Sequence, residues 1–438
     1  MAPSLRNRRT AMWLLLASCY VFVSLYRLKT GVLAEELARE FEATATEIGS
    51  LHAVFFVIYA PLQLVAGVLA DRYGPRLTVS AGAVVMHVGG VVFALSTALP
   101  VAFVGRLLMG IGASVVFISV LKFCANWFRP QEFATMSGLT ASVSGLGGVI
   151  ATYPLAVAAS AVGWRVAVGS LAVVGIGLGV LVFVFVRNKP EDPGDFGVPE
   201  VEPVSSFSEV RTNLGDVIGA RQTWLIAGGF FVATGINTTV LGLWGVPFLV
   251  QIYGLSVPDA AVITLLGSAG LTTGPPAIGR LSDAIGVRVP LMVIASFAFT
   301  ASYATVAVLG DPPLAVVTVA FFSASFLIGG FVLGFTVMRE SHSTSASGTA
   351  TGAVNAAGFT GAAVFPTVMG ALLDAYWTGE TVAGARVYTL TGYRAGFGVA
   401  AAAGVFAFLL TVVLYYRGES PKKSGAEVVE DDGEGGDA

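Results

Sequence analysis

The chain reads GVLADRYGPR at residues 67–76 and GRLSDAIGVR at residues 279–288. Both stretches place glycine at the first position, aspartate at the fifth, glycine at the eighth and arginine at the tenth. Each stretch closes the second long apolar segment of its half of the chain. One pattern at two equivalent places indicates an internal duplication, so we expect two related halves with the same order of structural elements.

The composition around these two copies is that of a membrane protein. Hydrophobic residues make up 55% of the 438 residues and charged residues only 12%, whereas soluble domains carry about 25% charged residues. The net charge of −3 gives no reason to expect nucleic acid as a partner. The two cysteines, Cys19 and Cys124, predict neither a disulfide framework nor a metal site.

Twelve stretches are long enough to span a bilayer, since a spanning helix needs about 20 mostly apolar residues. The predicted helices cover residues 11–36, 47–70, 77–98, 100–125, 135–159, 164–187, 223–250, 258–281, 289–309, 313–338, 347–373 and 393–416. The predicted fold class is therefore an all-α membrane protein with two pseudo-symmetric six-helix bundles.

The polar segments divide the chain into four parts. The two bundles are predicted to occupy residues 1–187 and 223–417, and a cytoplasmic linker rich in proline and acidic residues joins them at 188–222. The last segment, 418–438, is strongly acidic and is predicted to be a disordered cytoplasmic tail.

The placement of lysine and arginine predicts which side faces the cytoplasm. If the N-terminus lies inside, 16 of these residues fall in cytoplasmic segments. The outer loops then hold four, namely Arg39, Arg165, Arg386 and Arg394. We therefore expect a multi-pass protein of the cell membrane with both termini in the cytoplasm.

The repeated pattern resembles the signature of the major facilitator superfamily, and the resemblance extends over essentially the whole chain. It implies that the two halves rock about a central solute site lined by helices 1, 4, 7 and 10. It also implies a latch between the halves on the cytoplasmic side, formed in the state that opens outward. The residues that this resemblance assigns to the latch, or cytoplasmic gate, are Gly67, Asp71, Arg72, Gly74, Arg76, Gly279, Asp283, Gly286 and Arg288.

Two further stretches bear on the branch of the family. Arg106 opens the stretch RLLMGIG in predicted helix 4, which is similar to a second family motif. Predicted helix 5 lacks the Gly-Pro pair of the drug/proton antiporters, which counts against a multidrug exporter. An arginine in helix 1 after a tyrosine, together with the helix 4 arginine, is nearest in pattern to organic-anion symporters.

Two arginines inside the predicted helices are the leading candidates for a solute site, because charges within a membrane are costly and usually functional. Arg27 and Arg106 lie roughly 13 and 9 Å from the outer helix ends, so they share one depth. Guanidinium groups suit carboxylates and phosphates. Alternatively, Arg27 reaches toward the interface and Arg106 pairs with backbone carbonyls.

Further candidates surround them. Tyr20 and Ser24 share the helical face of Arg27 and would place two hydroxyl groups beside it. Asn237 in predicted helix 7 is a candidate hydrogen-bonding residue for the solute, before a stretch that Gly242 and Pro247 can bend. Lys29 points to the opposite side of helix 1, and we expect it to reach the membrane interface.

The sequence shows no buried acidic residue that would couple solute transport to an ion. The acidic residues of the predicted helices lie near helix ends, so a buried carboxylate that takes up and releases a proton is absent. His87 in predicted helix 3 is the titratable alternative, although that helix usually lies outside the cavity. A coupling ion, either a proton or sodium, remains open.

The sequence thus predicts a transporter of a small organic or inorganic anion that works by alternating access. Its expected partners are the solute, a coupling ion and membrane lipid, and we expect a monomer without cofactor or metal. Three alternatives stay open: a carrier of neutral or cationic compounds, a solute sensor that no longer transports, and a membrane enzyme. A membrane enzyme would need paired acids or metal ligands, which the sequence lacks, so we expect no enzymatic activity.

Overall fold

A computed structural model describes residues 5–190, 215, 217–341, 344–382 and 384–418 of the chain. Twelve helices in these ranges are long and apolar enough to cross a membrane. Most of the predicted linker and all residues of the acidic tail beyond 418 lie outside the described residues, so both remain predictions.

The first half contains six helices, and several of them are broken near their middle. Their bounds are α1 (Leu5–Leu28, then Thr30–Glu40), α2 and α3 (the two arms of Ala45–Ala94), α4 (Leu99–Ser114, then Val116–Trp127), α5 (Pro130–Ala151, then Tyr153–Val162) and α6 (Trp164–Phe185).

The second half repeats this order and adds a short hairpin. Its helices are α7 (Arg221–Thr239, a π-helical turn Val240–Trp244, then Gly245–Tyr253), α8 (Val257–Ile285), α9 (Val289–Leu309), α10 (Leu314–Ser341), α11 (Thr344–Ala375) and α12 (Leu390–Gly418). Between α11 and α12 the strands β1 (Trp377–Val382) and β2 (Ala385–Tyr388) pair antiparallel.

The eighth position of the repeated pattern makes the turn between the second and third helix of each half. Gly74 (φ 77°) separates α2 from α3, and Gly286 (φ 71°) ends α8. These left-handed values are freely open to glycine alone. The duplicated glycine thus serves one backbone purpose in both halves.

The two ends of the molecule differ in how the halves meet. We call the end that holds residues 67–76 and 279–288 the motif end, and the end that holds the hairpin Trp377–Tyr388 the hairpin end. Five hydrogen bonds between described residues join the two halves at the hairpin end. The halves are therefore closed against each other there.

Close backbone contacts between α2 and α11 make this closure tight. A Cβ atom added to Gly49 would meet the backbone of Pro366, and one added to Gly370 would meet the carbonyl of Ala45. The two backbones can approach this closely only where glycine leaves no side chain between them, and small residues are common at contacts between membrane helices for this reason. Small residues of α11 are thus part of the interface between the halves.

Candidate functional site

Arg27 of α1 lies at the interface between the halves, between two aromatic rings. Its guanidinium carbon is 4.5 Å from the ring centroid of Tyr59 on α2 and 4.7 Å from that of Phe359 on α11. Its Nη2 donates a hydrogen bond to the Tyr59 hydroxyl, and its buried Nε has no hydrogen-bond partner among the described residues.

The charge of Arg27 is not matched by an acid. Within the described part of the chain, no carboxylate forms an ion pair with it. A cation held by π faces keeps its hydrogen-bonding edge for a ligand, because the rings satisfy its faces only. The geometry therefore suits an anion that enters between the halves.

The Arg106 side chain of α4 is turned away from the site around Arg27 and is fully buried. Its Nε, Nη1 and Nη2 donate to the carbonyls of Leu51, Tyr26 and His52 at 3.1, 2.6 and 3.0 Å. This is the alternative in which the side chain pairs with backbone carbonyls. In this conformation Arg106 holds α1 and α2 together next to Arg27, and it offers no free edge to a solute.

The two residues predicted to share the helical face of Arg27 also contact other helices. Ser24 is within 2.6 Å of the Ser144 hydroxyl on α5. The Tyr20 ring packs against Phe117 of α4, with 4.9 Å between the ring centroids. The hydroxyl that does meet Arg27 comes from Tyr59, on a different helix.

Asn237 of α7 is buried and bound to the neighbouring helix. Its Oδ1 accepts a hydrogen bond of 2.8 Å from Ser325 on α10. The stretch predicted to bend contains the π-helical turn Val240–Trp244, three residues before Pro247, whose missing N–H prevents a regular α-helical bond. The predicted role of Asn237 in binding the solute stays a prediction.

The expectation for Lys29 is wrong. Its side chain is 1% exposed and does not reach an interface. The ammonium nitrogen lies 3.8 Å from the Phe93 ring centroid and has no hydrogen-bond partner in the described residues. It sits at the break of α1, where the chain turns the residue into the bundle. His87 accepts or donates a 3.0 Å hydrogen bond with the Tyr26 hydroxyl inside the same bundle.

The first copy of the repeated pattern pairs within its own half. Asp71 forms a 2.6 Å ion pair with Lys122 of α4. Arg76 donates to the carbonyl of Phe183 on α6 at 2.6 Å, and the Arg72 guanidinium lies 5.5 Å from the Tyr73 ring. The closest side chain to a Cβ at Gly67 would be Ile118.

The second copy pairs in the same way. Arg288 binds Asp283 at 3.0 Å and Glu340 of α10 at 2.9 Å. The hydrogen bond that Arg288 donates to Asp283 is the main reason that the pKa of Arg288 is raised. A Cβ at Gly279 would meet open space. Both copies are thus tied within their own halves in this conformation, and the predicted latch between the halves stays untested.

Sequence reasoning gave little weight to the residues that complete the site. Tyr59 is a tyrosine inside a predicted helix that could line the edge of a cavity, and Phe359 carries no signal of its own in the sequence. A signal for them exists only in the packing of α2 against α11, because the two residues are 300 positions apart in the chain. Lys122 was also missed, since a lysine near a helix end is ordinarily read as an interfacial residue.

Comparisons with known proteins agree with this architecture. The model of the Major Facilitator Superfamily matches residues 12–366 and 227–432. A structure of a bacterial homologue of the human lysosomal transporter Spinster, in an inward-facing and occupied conformation, superimposes with a TM-score of 0.74. That likeness covers 93% of this chain and 97% of the other at 17% identity, and it confirms the predicted fold of twelve helices in two bundles.

Two curated relatives are similar in sequence. The hexuronate transporter of Bacillus subtilis is 29% identical over 58% of this chain and 59% of its own length. The probable nitrate/nitrite transporter NarK2 of Mycobacterium tuberculosis is 28% identical over 78% of this chain and 84% of its own length. The alignment thus spans about three fifths of the hexuronate transporter.

Proposed function

This chain belongs to the Major Facilitator Superfamily, and on that premise we propose that it carries a small organic or inorganic anion across the membrane by alternating access. It is a multi-pass membrane protein of a family of transporters, in keeping with the expectation that it is not an enzyme. The observation that carries the proposal is Arg27, a cation between the halves with a free hydrogen-bonding edge and no acid to neutralise it.

The aromatic pair around Arg27 supports a site shared by both halves. Tyr59 comes from the first half and Phe359 from the second, and both rings face the same guanidinium. An anion at Arg27 would therefore meet groups of both halves at once. A solute moves the equilibrium between two states only through different affinities for them, and a shared site supplies that difference.

The names of relatives favour an anion over a neutral or cationic solute. The hexuronate transporter and NarK2 are named for anions, and so is a probable sulfoacetate transporter of Cupriavidus necator that is 25% identical over 64% of this chain. In this proposal Arg27 binds the anion, while Arg106 keeps the helix that carries Arg27 in place.

We further propose that the motif end faces the cytoplasm of the cell and the hairpin end faces outward, with both termini inside. The excess of lysine and arginine at the motif end supports this orientation. The closed hairpin end then makes this conformation one that is shut toward the outside. The residues assigned to the cytoplasmic gate would exchange their pairs within each half for contacts between the halves in the other state.

Uptake into proteoliposomes tests the proposal. The purified chain is offered a panel of hexuronate, sulfoacetate, galactonate and nitrate, with a neutral sugar and an organic cation for comparison. Arg27→Gln should lower anion uptake about tenfold to a hundredfold, since a charge-assisted hydrogen bond contributes roughly 1.5–3 kcal/mol. Arg165→Gln, which removes a cation at the hairpin end paired with Glu40, is the matched control and should transport normally.

Two results would overturn the proposal. One is anion uptake that survives Arg27→Gln unchanged. The other is a chain that transports the neutral or cationic compound and none of the anions. Binding of an anion with no flux would instead identify the protein as a solute sensor.

A further inference from the structure

His52 of α2 is a buried imidazole without a hydrogen bond. Its side chain is 0% exposed, and neither ring nitrogen has a partner among the described residues. An unpaired polar group in a protein interior is costly and calls for an explanation. His87 shows the ordinary alternative, because its ring is bound to the Tyr26 hydroxyl within one bundle.

The ring of His52 faces the other half of the molecule. A Cβ added to Gly242 of α7 would lie 3.2 Å from the His52 Cε1 and 3.5 Å from its Nε2. Gly242 belongs to the π-helical turn Val240–Trp244, and such turns are frequent at functional sites. The imidazole is therefore covered by the opposite half only while the hairpin end is closed.

The charged groups around His52 are positive. From α4, Arg106 donates its Nη2 to the His52 carbonyl at 3.0 Å. Lys29, at the break of α1, lies close enough to the same guanidinium to interact with its charge. The α7 residue against the ring is Gly242, which carries no charge.

The α11 residues that contact α2 nearby are uncharged as well, namely Phe359, Pro366 and Thr367. At the hairpin end, Glu35 of α1 accepts a hydrogen bond from Gln251 of α7. On the interface between α2 and α11, Asp374 binds the backbone of Ala45 and Thr46. Those residues are about six positions, or roughly 9 Å, along the helix from His52.

A proton on His52 is consequently incompatible with the closed hairpin end. The imidazolium would be a further positive charge in a dry interface beside Arg106, with no acceptor, and such burial is strongly unfavourable. Separation of the halves at the hairpin end moves Gly242 away from the ring and admits water, which solvates the charged form. Protonation and closure then exclude each other.

We propose that His52 is a proton-binding site that controls closure of the hairpin end, so that a bound proton holds that end open. The proposal rests on the alternating-access part of the proposed function and not on the nature of the solute. It supplies a route by which protons act on a transporter whose sequence places the acidic residues of its predicted helices near the helix ends.

The distance between two spin labels at the hairpin end tests this without any solute. Leu95 at the end of α3 and Val308 near the end of α9 are exposed, lie in different halves, and can be replaced by cysteine after Cys19 and Cys124 are changed to serine. In lipid nanodiscs, the fraction with the longer distance should rise as the pH falls from 8 to 5. Because one proton is linked to opening, the ratio of open to closed molecules can rise up to tenfold for each pH unit below the ordinary imidazole pKa of about 6.5.

Two histidine variants locate the effect. His52→Gln should remove the dependence on pH, because glutamine cannot take up a proton in this range. His87→Gln, the matched change inside one bundle, should retain it. Elution as a single symmetric peak in size exclusion checks the fold of each variant, and His52→Leu provides a second neutral replacement.

The outcomes separate clearly. A distance distribution that does not change with pH in the chain that retains both histidines overturns the proposal, and so does a shift that survives in His52→Gln. Loss of the shift in His87→Gln together with its survival in His52→Gln would also refute it. A clear pH response in a protein that fails to transport anions would contradict the proposed solute while supporting the role of His52.

Discussion

Asp374 at the end of α11 binds Thr46 at the start of α2 through both the backbone amide, at 2.8 Å, and the side-chain hydroxyl, at 2.5 Å. Its other oxygen accepts the Ala45 amide at 2.9 Å. The carboxylate thus satisfies the free N–H groups at the N-terminus of α2 from the opposite half of the molecule. An acid at this position also complements the positive end of the helix dipole.

Asp374→Asn should therefore open the hairpin end. The amide has one acceptor oxygen and no charge, so it cannot reproduce three hydrogen bonds to the start of α2. A loss of roughly 1.5–3 kcal/mol corresponds to about a tenfold to hundredfold larger open population. We expect a cysteine introduced at the buried position Ile48 to react correspondingly faster with a membrane-impermeant maleimide added at the hairpin end.

Asp259 offers a matched control at the same end of the molecule. It caps the start of α8 with Ser256, entirely within the second half. Asp259→Asn should leave the labelling rate unchanged. Equal rates in Asp374→Asn and the unsubstituted protein would show that the contact does not stabilise the closed state.

Gly370→Ala should shift the same equilibrium by a steric route. A methyl group there would meet the carbonyl of Ala45, which is backbone and cannot move aside. The closed hairpin end must loosen to admit it, so labelling at position 48 should again increase. Gly398→Ala on α12, where a Cβ meets open space, is the control. An alanine at 370 that labels no faster than the one at 398 would argue against tight closure between α2 and α11.

The repeated pattern allowed the fold to be predicted because its glycines have a local purpose. Gly74 and Gly286 turn the backbone in both halves, and hydropathy marks the helices that they join. The depth of a charged residue also follows from the sequence. The direction of its side chain does not, because that depends on which helix packs beside it.

Arg106 and Lys29 illustrate this limit. Both lie within predicted helices, yet Arg106 turns toward carbonyls of α1 and α2, and Lys29 toward the Phe93 ring. Backbone carbonyls carry no sequence signal, since every residue has one. The aromatic cage of Arg27 was equally hidden, because it forms only when two halves separated by a long linker come together.

Arg106 should matter for stability more than for solute contact. Arg106→Gln removes at least two of the three hydrogen bonds to Leu51, Tyr26 and His52 and leaves buried carbonyls without donors. At about 1–3 kcal/mol for each unsatisfied group, the free energy of unfolding should fall by roughly 3 kcal/mol or more. Thermal unfolding in detergent should show a clearly lower midpoint for this variant than for Arg27→Gln, whose side chain loses one hydrogen bond. Equal unfolding midpoints for the two variants would show that Arg106 does not stabilise the packing of α1 on α2.

The ion pair between Asp71 and Lys122 ties the repeated pattern to α4 in this conformation. Both side chains are largely buried, at 13% and 16% exposed, and their charged atoms are 2.6 Å apart. A double-mutant cycle of Asp71→Asn and Lys122→Met should give a coupling of about 1 kcal/mol or more, above that of a fully exposed pair. The pair Arg288 and Asp283 is the matched comparison, because Asp283 is 72% exposed, and its coupling should be smaller. If the two couplings were equal, burial would not distinguish the two copies of the pattern.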